Sequence, residues 1–296
     1  AKVLGTAGSL ASGTWLINNM GFPYAVSALS ITVFLIMLLP LWLRERPGEK
    51  RFPWQAGEAA PEALAMKVER WSEILLTLKS AFILRSSLAM AIGGFFFSAG
   101  IGYMDALLPL FTIQELDWTN DGYSNVMATV STVGALLAML VAGWLVDRLG
   151  KVRIMSIYLS LMILIPIAVA STHTYWMASG FGTWVIIGYQ TLYTFMMVAY
   201  LATSMNLCWK RVAATQFTLY MAMGNMGRAV GSSLLGPFSE QFEWGGMFLA
   251  FGGMMLLALL TIQLLRLPHH QEALDHLELD RVAKLPPDLG GAHVPR

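Results

Sequence analysis

Hydrophobic positions run along this chain in long unbroken blocks. From Ile154 to Trp209, 56 residues pass without one Lys, Arg, Asp or Glu, and Val3 to Leu43 is a second such run of 41. A hydrocarbon core of roughly 30 Å is crossed by about 20 apolar helical residues, so either block is long enough to cross a bilayer twice. Strand-length alternating segments are absent, and within lipid the remaining way to satisfy every backbone N–H and C=O is the helix. Turn signals and charges divide the apolar runs into eight helical spans, near 3–19, 23–43, 86–112, 122–146, 153–171, 176–205, 212–238 and 244–266. The turns between them are short: Asn18 to Pro23, Asp117 to Gly122 and Ser171 to Thr174.

The charges between the spans fall on alternate sides. Seven Lys and Arg lie from Arg44 to Lys79; Arg148, Lys151 and Arg153 share the next such loop, Lys210 and Arg211 the next, and Arg266, Arg281, Lys284 and Arg296 lie at or beyond the last span. The other loops carry Glu115, Asp117, Asp121, Glu240 and Glu243 and no cation. Because cytoplasmic loops hold the excess of Lys and Arg, the expectation is that both chain ends are cytoplasmic. The small net charge of +1 therefore conceals a vectorial asymmetry, and no nucleic-acid partner is expected. Composition agrees with the bilayer reading: 56% of residues are hydrophobic and 12% charged, about half the charge of a soluble domain. Cys208 is the single cysteine; it has no internal disulfide partner and reads as a small packing residue at the cytoplasmic end of a span.

Two hydrophilic stretches remain. Arg44 to Arg51 is a polar linker. From Pro61 a helix is expected, with Leu64, Val68, Trp71, Leu75 and Leu78 at helical spacing and Glu62, Lys67, Glu69, Arg70 and Glu73 elsewhere on the wheel. It reads as an amphipathic connector at the membrane surface or against the bundle. The tail after Pro268 is polar, contains His269, His270 and His276, and reads as a solvated extension. No metal site and no cofactor are expected. Enzyme signatures are missing too: there is no His-Glu-x-x-His, no phosphate-cradling Gly-Lys loop and no Gly-x-Ser-x-Gly.

The most specific segment is Gly143-Trp144-Leu145-Val146-Asp147-Arg148-Leu149-Gly150-Lys151-Val152-Arg153. Gly143 and Asp147 stand four apart on one helix face. The glycine suits close approach of a neighbouring helix, the carboxylate suits a helix N-terminus or a basic side chain, and Gly150 suits a tight turn. This segment resembles the signature loop of the major facilitator superfamily, G-x-x-x-D-R-x-G-[KR]-x-[KR], in the copy carried by the C-terminal six-helix half. The resemblance implies an all-α polytopic bundle of two six-helix repeats joined by a long cytoplasmic loop. On that plan residues 1–43 are the last two helices of the N-terminal half, 44–80 the linker, 81–266 the C-terminal half and 267–296 a cytoplasmic tail. The chain opens Ala1-Lys2-Val3 without a Met and splits its spans two and six, so the expectation is that four helices precede it.

A narrower resemblance rests on Arg211 to Tyr220, with Ala214-Thr215-Gln216-Phe217 inside it, followed by Gly227-Arg228 and Gly231, and on Asp105 within Gly102 to Ala106. These segments are similar to those of AmpG-type muropeptide permeases and their relatives, which include acetyl-CoA transporters. The resemblance implies a symporter importing anhydromuropeptides with protons across a bacterial inner membrane, with Gly143, Asp147, Arg148, Gly150, Lys151 and Arg153 as a conformational gate. Alternatives are another small solute (siderophore, acetyl-CoA, sugar or drug) or a non-transporting sensory or structural subunit.

Asp105 and Arg228 are the formal charges well inside the expected spans. An ionisable group in lipid costs roughly 2.5–3.5 kcal/mol even on lenient scales, so each is expected to face the bundle interior. They form either one structural ion pair or a working site in which Asp105 exchanges a proton and Arg228 holds an anionic group of the substrate. Burial and a neighbouring guanidinium act in opposite directions on a carboxyl group, so a substrate engaging Arg228 would alter the protonation of Asp105. Gln190, Tyr189, Tyr193 and Asn206 offer hydrogen bonds and stacking to a sugar, and Asn225 lies among Gly224, Gly227, Gly231 and Gly236 on the same expected helix. Gly227 and Gly231 have the small-xxx-small spacing of close helix contact.

Overall fold

The computed structural model describes residues 12–13, 15–17, 19–39 and 71–283. Among these residues every regular element is a helix. The chain divides between Leu76 and Thr77 into two compact units.

The first unit holds α1, Phe22–Leu38, and short helical stretches at 12–13, 15–17 and 19–20. Gly21 turns the chain with φ +81°, and Pro23 lies in the first turn of α1, where its missing N–H leaves no bond unmade. Phe22, Phe34, Leu35, Ile36 and Met37 are exposed. An outward surface of this kind suits acyl chains rather than water. The expected span 3–19, the end of 23–43 and the amphipathic helix from Pro61 to residue 70 lie largely or wholly outside the described residues. Helix α2, Trp71–Ile83, crosses the boundary between the units.

The second unit continues with α3, Arg85–Gln114, and α4, Asn120–Leu137, which passes through a π-helical turn at Ala138–Ala142 into α5, Gly143–Leu149. Then come α6, Lys151–Ser171, α7, Phe181–Leu207, α8, Ala213–Ser233, the short α9, Leu235–Ser239, α10, Trp244–Ile262, and α11, Leu267–Ala283. Among the described residues five helical stretches are long and apolar enough to cross a membrane: Arg85–Gln114, Asn120–Leu149, Lys151–Ser171, Phe181–Leu207 and Trp244–Ile262. Helix α8 has the length of a span at 21 residues, but Thr215, Gln216, Thr218, Asn225 and Arg228 dilute its apolar character.

Local chemistry explains most boundaries. Thr119 caps α4 by accepting a hydrogen bond from the Gly122 N–H at 3.1 Å. Gly150, at φ +84°, makes the turn between α5 and α6 with a backbone that L side chains rarely adopt. The expected span 176–205 begins late, at Phe181, because a 3₁₀ turn at His173–Tyr175 and Gly180 at φ +86° occupy the preceding residues. The expected span 212–238 breaks near Leu234, so that Gly236 lies on α9.

Helix α3 packs against α8 and α10, α10 against α6, α6 against α7, and α7 against α4. The core is largely aromatic at one end, where Phe111 meets the edges of Trp176, Trp244 and Phe248 at centroid distances of 5.1, 5.5 and 4.9 Å. Outside, Leu140, Trp184, Leu164 and Leu260 are exposed, as a lipid-facing surface requires.

The tail departs from the expected solvated extension. Its first 17 residues form α11, and His270 and Leu274 are buried. His270, Leu274 and Leu277 recur at helical spacing. The two leucines join Ala81, Trp209 and Val212 in a small second core. The His270 ring nitrogen Nε2 lies 2.9 Å from the Leu207 carbonyl, Trp209 donates through Nε1 to Glu278 at 3.1 Å, and Gln271 donates to Asn206 at 2.9 Å.

Candidate functional site

The site begins with a close crossing of two backbones. A side-chain carbon on Gly102 of α3 would run into the Arg228 carbonyl of α8; one on Gly227 would meet the Phe95 carbonyl, and one on Gly231 the Ala99 carbonyl. With no side chains between them, α3 and α8 lie backbone to backbone. Asp105 follows Gly102 by three residues and therefore points along the same face of α3, toward α8.

There Arg228 Nη2 stands 3.0 Å from Asp105 Oδ2. The Tyr189 hydroxyl of α7 donates to Asp105 Oδ1 at 3.3 Å, and Arg228 Nη2 also donates to the Tyr193 hydroxyl at 3.5 Å. The Tyr189 and Tyr193 rings stack, 6.3 Å apart and 12° from parallel. Tyr123 of α4 lies within electrostatic reach of Asp105. Four elements thus converge on one ion pair: α3 and α8 supply the charges, while α7 and α4 supply phenols.

The pair is not sealed. The Arg228 and Asp105 side chains are 44% and 41% exposed. Charges open to hydrocarbon are strongly disfavoured, so the open side is not expected to face acyl chains. Tyr189 at its back is fully buried, which fixes the orientation of the carboxylate.

Other expected participants are scattered. Gln190 is buried and Asn225 is exposed, and neither bonds to the pair; Asn225, three residues before Arg228, shares its side of α8. Asn206 is engaged far away with Gln271 of α11. Gln216 is fully buried and ties the helix ends together: its Oε1 accepts from the Trp209 N–H at 2.9 Å, and its amide nitrogen reaches Ser87, Leu207 and Tyr220. Tyr123 and the caged role of Gln216 were not singled out by sequence, because both depend on how helices rotate against one another.

In the expected gate, Gly143 and Asp147 share an exposed helix face just after the π turn. Among the described residues no atom approaches a carbon built on Gly143 within 4 Å, so the close helix contact expected there is absent. Arg148 lies over the Trp144 ring, 5.1 Å from its centre, a cation–π contact. Lys151 and Arg153 open into a cleft beside the start of α11. Cys208 is half-buried and donates to the Ser204 carbonyl at 3.1 Å; burial pushes its thiol up to about 11, which suits packing rather than reactivity. Among the described residues no group of three His, Cys, Asp or Glu is arranged to hold a metal.

A further cavity of about 730 Å³ lies away from the ion pair, lined by Gln114, Glu115, His173, Trp176, Phe242 and Glu243 among others.

Stacked apolar helices around a partly open charged pair define a polytopic membrane protein. Residues 3–232 match the sequence profile of the Major Facilitator Superfamily, and the chain belongs to that family. It is thereby a membrane transporter and not an enzyme. No curated protein matches the chain in sequence.

Proposed function

We propose that this transporter imports anhydromuropeptides together with protons across a bacterial inner membrane, with both ends of the chain on the cytoplasmic side. The observation that carries the reading is the half-open Asp105–Arg228 pair backed by Tyr189 and Tyr193. Arg228 is the anchor for an anionic group of the cargo, the half-buried Tyr193 presents its ring and hydroxyl to a sugar, the buried Tyr189 holds the carboxylate in place, and Asp105 is the proton carrier. When cargo takes the guanidinium, the carboxylate loses its counter-charge and a proton becomes the cheaper partner. Asn225, exposed on the Arg228 side of α8, is assigned to the wall of the same site, whereas Gln190 is buried and takes a packing role.

The choice of cargo is supported by the Ala214-Thr215-Gln216-Phe217 and Gly227-Arg228 segments and by Asp105. The segment from Gly143 to Arg153 is assigned to gating: an exposed Asp147 and a glycine with open space beside it are available to a partner helix in another state of an alternating-access cycle.

The test is uptake of labelled anhydromuropeptide by proteoliposomes with and without an inward proton gradient. Gradient-dependent uptake that disappears in Asp105→Asn is the expected result. Uptake that ignores the gradient removes proton coupling. A folded protein that moves siderophores, acetyl-CoA or drugs but not disaccharide-peptides removes the cargo assignment.

A further inference from the structure

A second polar feature lies at the end of the bundle where the cations gather. A cleft of about 520 Å³ opens between the start of α6 and the junction of α10 with α11, lined by Gly150, Lys151, Val152, Arg153, Leu265 to Pro268 and His269. Its charged lining is Lys151, Arg153 and Arg266, with no carboxylate among the lining residues. None of these three cations forms an ion pair among the described residues, and Arg153 and Arg266 are exposed. At the rim, His269 faces Glu272, 3.1 Å away.

Three like charges converging without a counter-ion repel one another, so the arrangement is stable only where an anion or a high dielectric compensates. The backbone adds to the deficit of negative charge. Gly150 provides no side-chain cap to α6, and the first N–H groups of this 21-residue helix open toward the same end.

Gln263, the residue after α10, donates to the Ser156 hydroxyl of α6 at 2.8 Å, a polar bridge between the two segments that flank the cleft. Deeper along α6, Ile157, Leu161 and Leu164 continue the face begun by Arg153 and are exposed; Leu260, Leu257 and Leu256 of α10, and Leu264 just beyond it, are exposed too. The succession from three cations through neutral polar groups to exposed aliphatic side chains follows the succession phosphate, glycerol ester and acyl chain of a phospholipid. Basic pockets between membrane helices are the form such recognition takes.

We propose that this cleft binds the phosphate of an anionic glycerophospholipid, with Lys151, Arg153 and Arg266 around the headgroup and the acyl chains along α6 and α10. A bound lipid would tie the loop before α6 to the base of α11, so that the gate segment ending at Arg153 is loaded by its membrane. The proposal does not depend on the identity of the cargo.

The test is thermal unfolding of the purified full chain in mild detergent, titrated separately with short-chain phosphatidylglycerol, short-chain phosphatidylcholine and inorganic phosphate. The expected result is a saturable rise in melting temperature with phosphatidylglycerol, absent with phosphatidylcholine. In Arg266→Gln and in Arg153→Gln, each at an exposed position, the half-saturating concentration should rise at least tenfold. Lys151→Gln serves as a third, independent variant. An equal response to phosphatidylcholine, or phosphatidylglycerol binding unchanged in all three variants, overturns the proposal. Inorganic phosphate reproducing the full effect assigns the cleft to a free anion and overturns the lipid assignment.

Discussion

At the scale of single residues, the question posed by Asp105 and Arg228 is whether they hold the bundle together or do work. Their geometry favours work. Both side chains are more than 40% exposed, and exposed ion pairs contribute only about 0–1 kcal/mol to stability. A purely structural pair would be better served by burial, with every lone pair and proton satisfied. The double variant Asp105→Asn/Arg228→Gln separates the two roles, since it removes both charges and leaves no unpaired one. Its melting temperature is expected to stay within a few degrees of the parent while uptake falls at least tenfold. Uptake near the parental rate, with normal membrane insertion, would reduce the pair to a structural contact. Neither charge was hard to find in sequence, because an ionisable residue inside an apolar run stands out. Sequence offered their pairing as one of two readings and could not decide it; the meeting at 3.0 Å depends on the rotation of α3 against α8, which three glycines decide together.

Those glycines set the argument at the scale of elements. Sequence offered Gly224, Gly227, Gly231 and Gly236 on one helix and singled out Gly227 and Gly231 by their small-xxx-small spacing; the structure places those two against backbone. A carbon on Gly231 falls onto the Ala99 carbonyl and one on Gly227 onto the Phe95 carbonyl, backbone atoms that cannot swing aside; one on Gly224 touches only the Ser98 hydroxyl, at 3.1 Å. A carbon on Gly236, on α9, meets nothing within 4 Å among the described residues. Gly231→Ala is therefore expected to destabilise by about 1–3 kcal/mol, the usual cost of overpacking, and to separate α3 from α8, taking uptake with it. Gly236→Ala, where a helical glycine gives way to the best helix former, is expected to be neutral or to stabilise by up to about 1 kcal/mol. Unfolding of the two variants side by side checks this, and equal effects would refute the backbone-contact account. Spacing picked out Gly227 and Gly231, but it could not say which helix they meet, because a glycine in a helix looks the same whether its neighbour is a carbonyl or empty space. The π turn at Ala138–Ala142 was invisible for a related reason: its residues are ordinary helix formers.

At the scale of the whole molecule, the alternation of apolar blocks with charged turns carried the architecture, since the bilayer imposes one length and one hydrogen-bonding solution on every span. It did not carry the tail, where polar composition masked the short apolar stripe of His270, Leu274 and Leu277. That stripe docks α11 on the ends of α7 and α2 within the second unit, and its buried histidine is expected to make the docking pH-sensitive. The His270 ring is 3% exposed; its Nε2 lies at the Leu207 carbonyl, so in the neutral ring that nitrogen carries the proton, while the buried Nδ1 has no partner. Burial holds the His270 pKa below its ordinary value, more than the bond to Leu207 raises it. The nearby acids do not relieve it: Glu278 is bonded to Trp209 and Glu272 faces His269. Between the depressed folded value and about 6.5, the undocked ring binds a proton that the docked ring refuses, so docking is complete above about pH 6.5 and weakens as the pH falls below it. Hydrogen exchange of residues 267–279, corrected for the intrinsic rate, should therefore speed up several-fold from pH 7.5 to 5.5. His270→Leu should abolish that dependence, while Gln216, which also donates to the Leu207 carbonyl at 3.3 Å, keeps that acceptor satisfied. The same acceleration in His270→Leu would place the sensitive group elsewhere, and no acceleration in the parent would show that the buried ring never has to leave its site to be protonated.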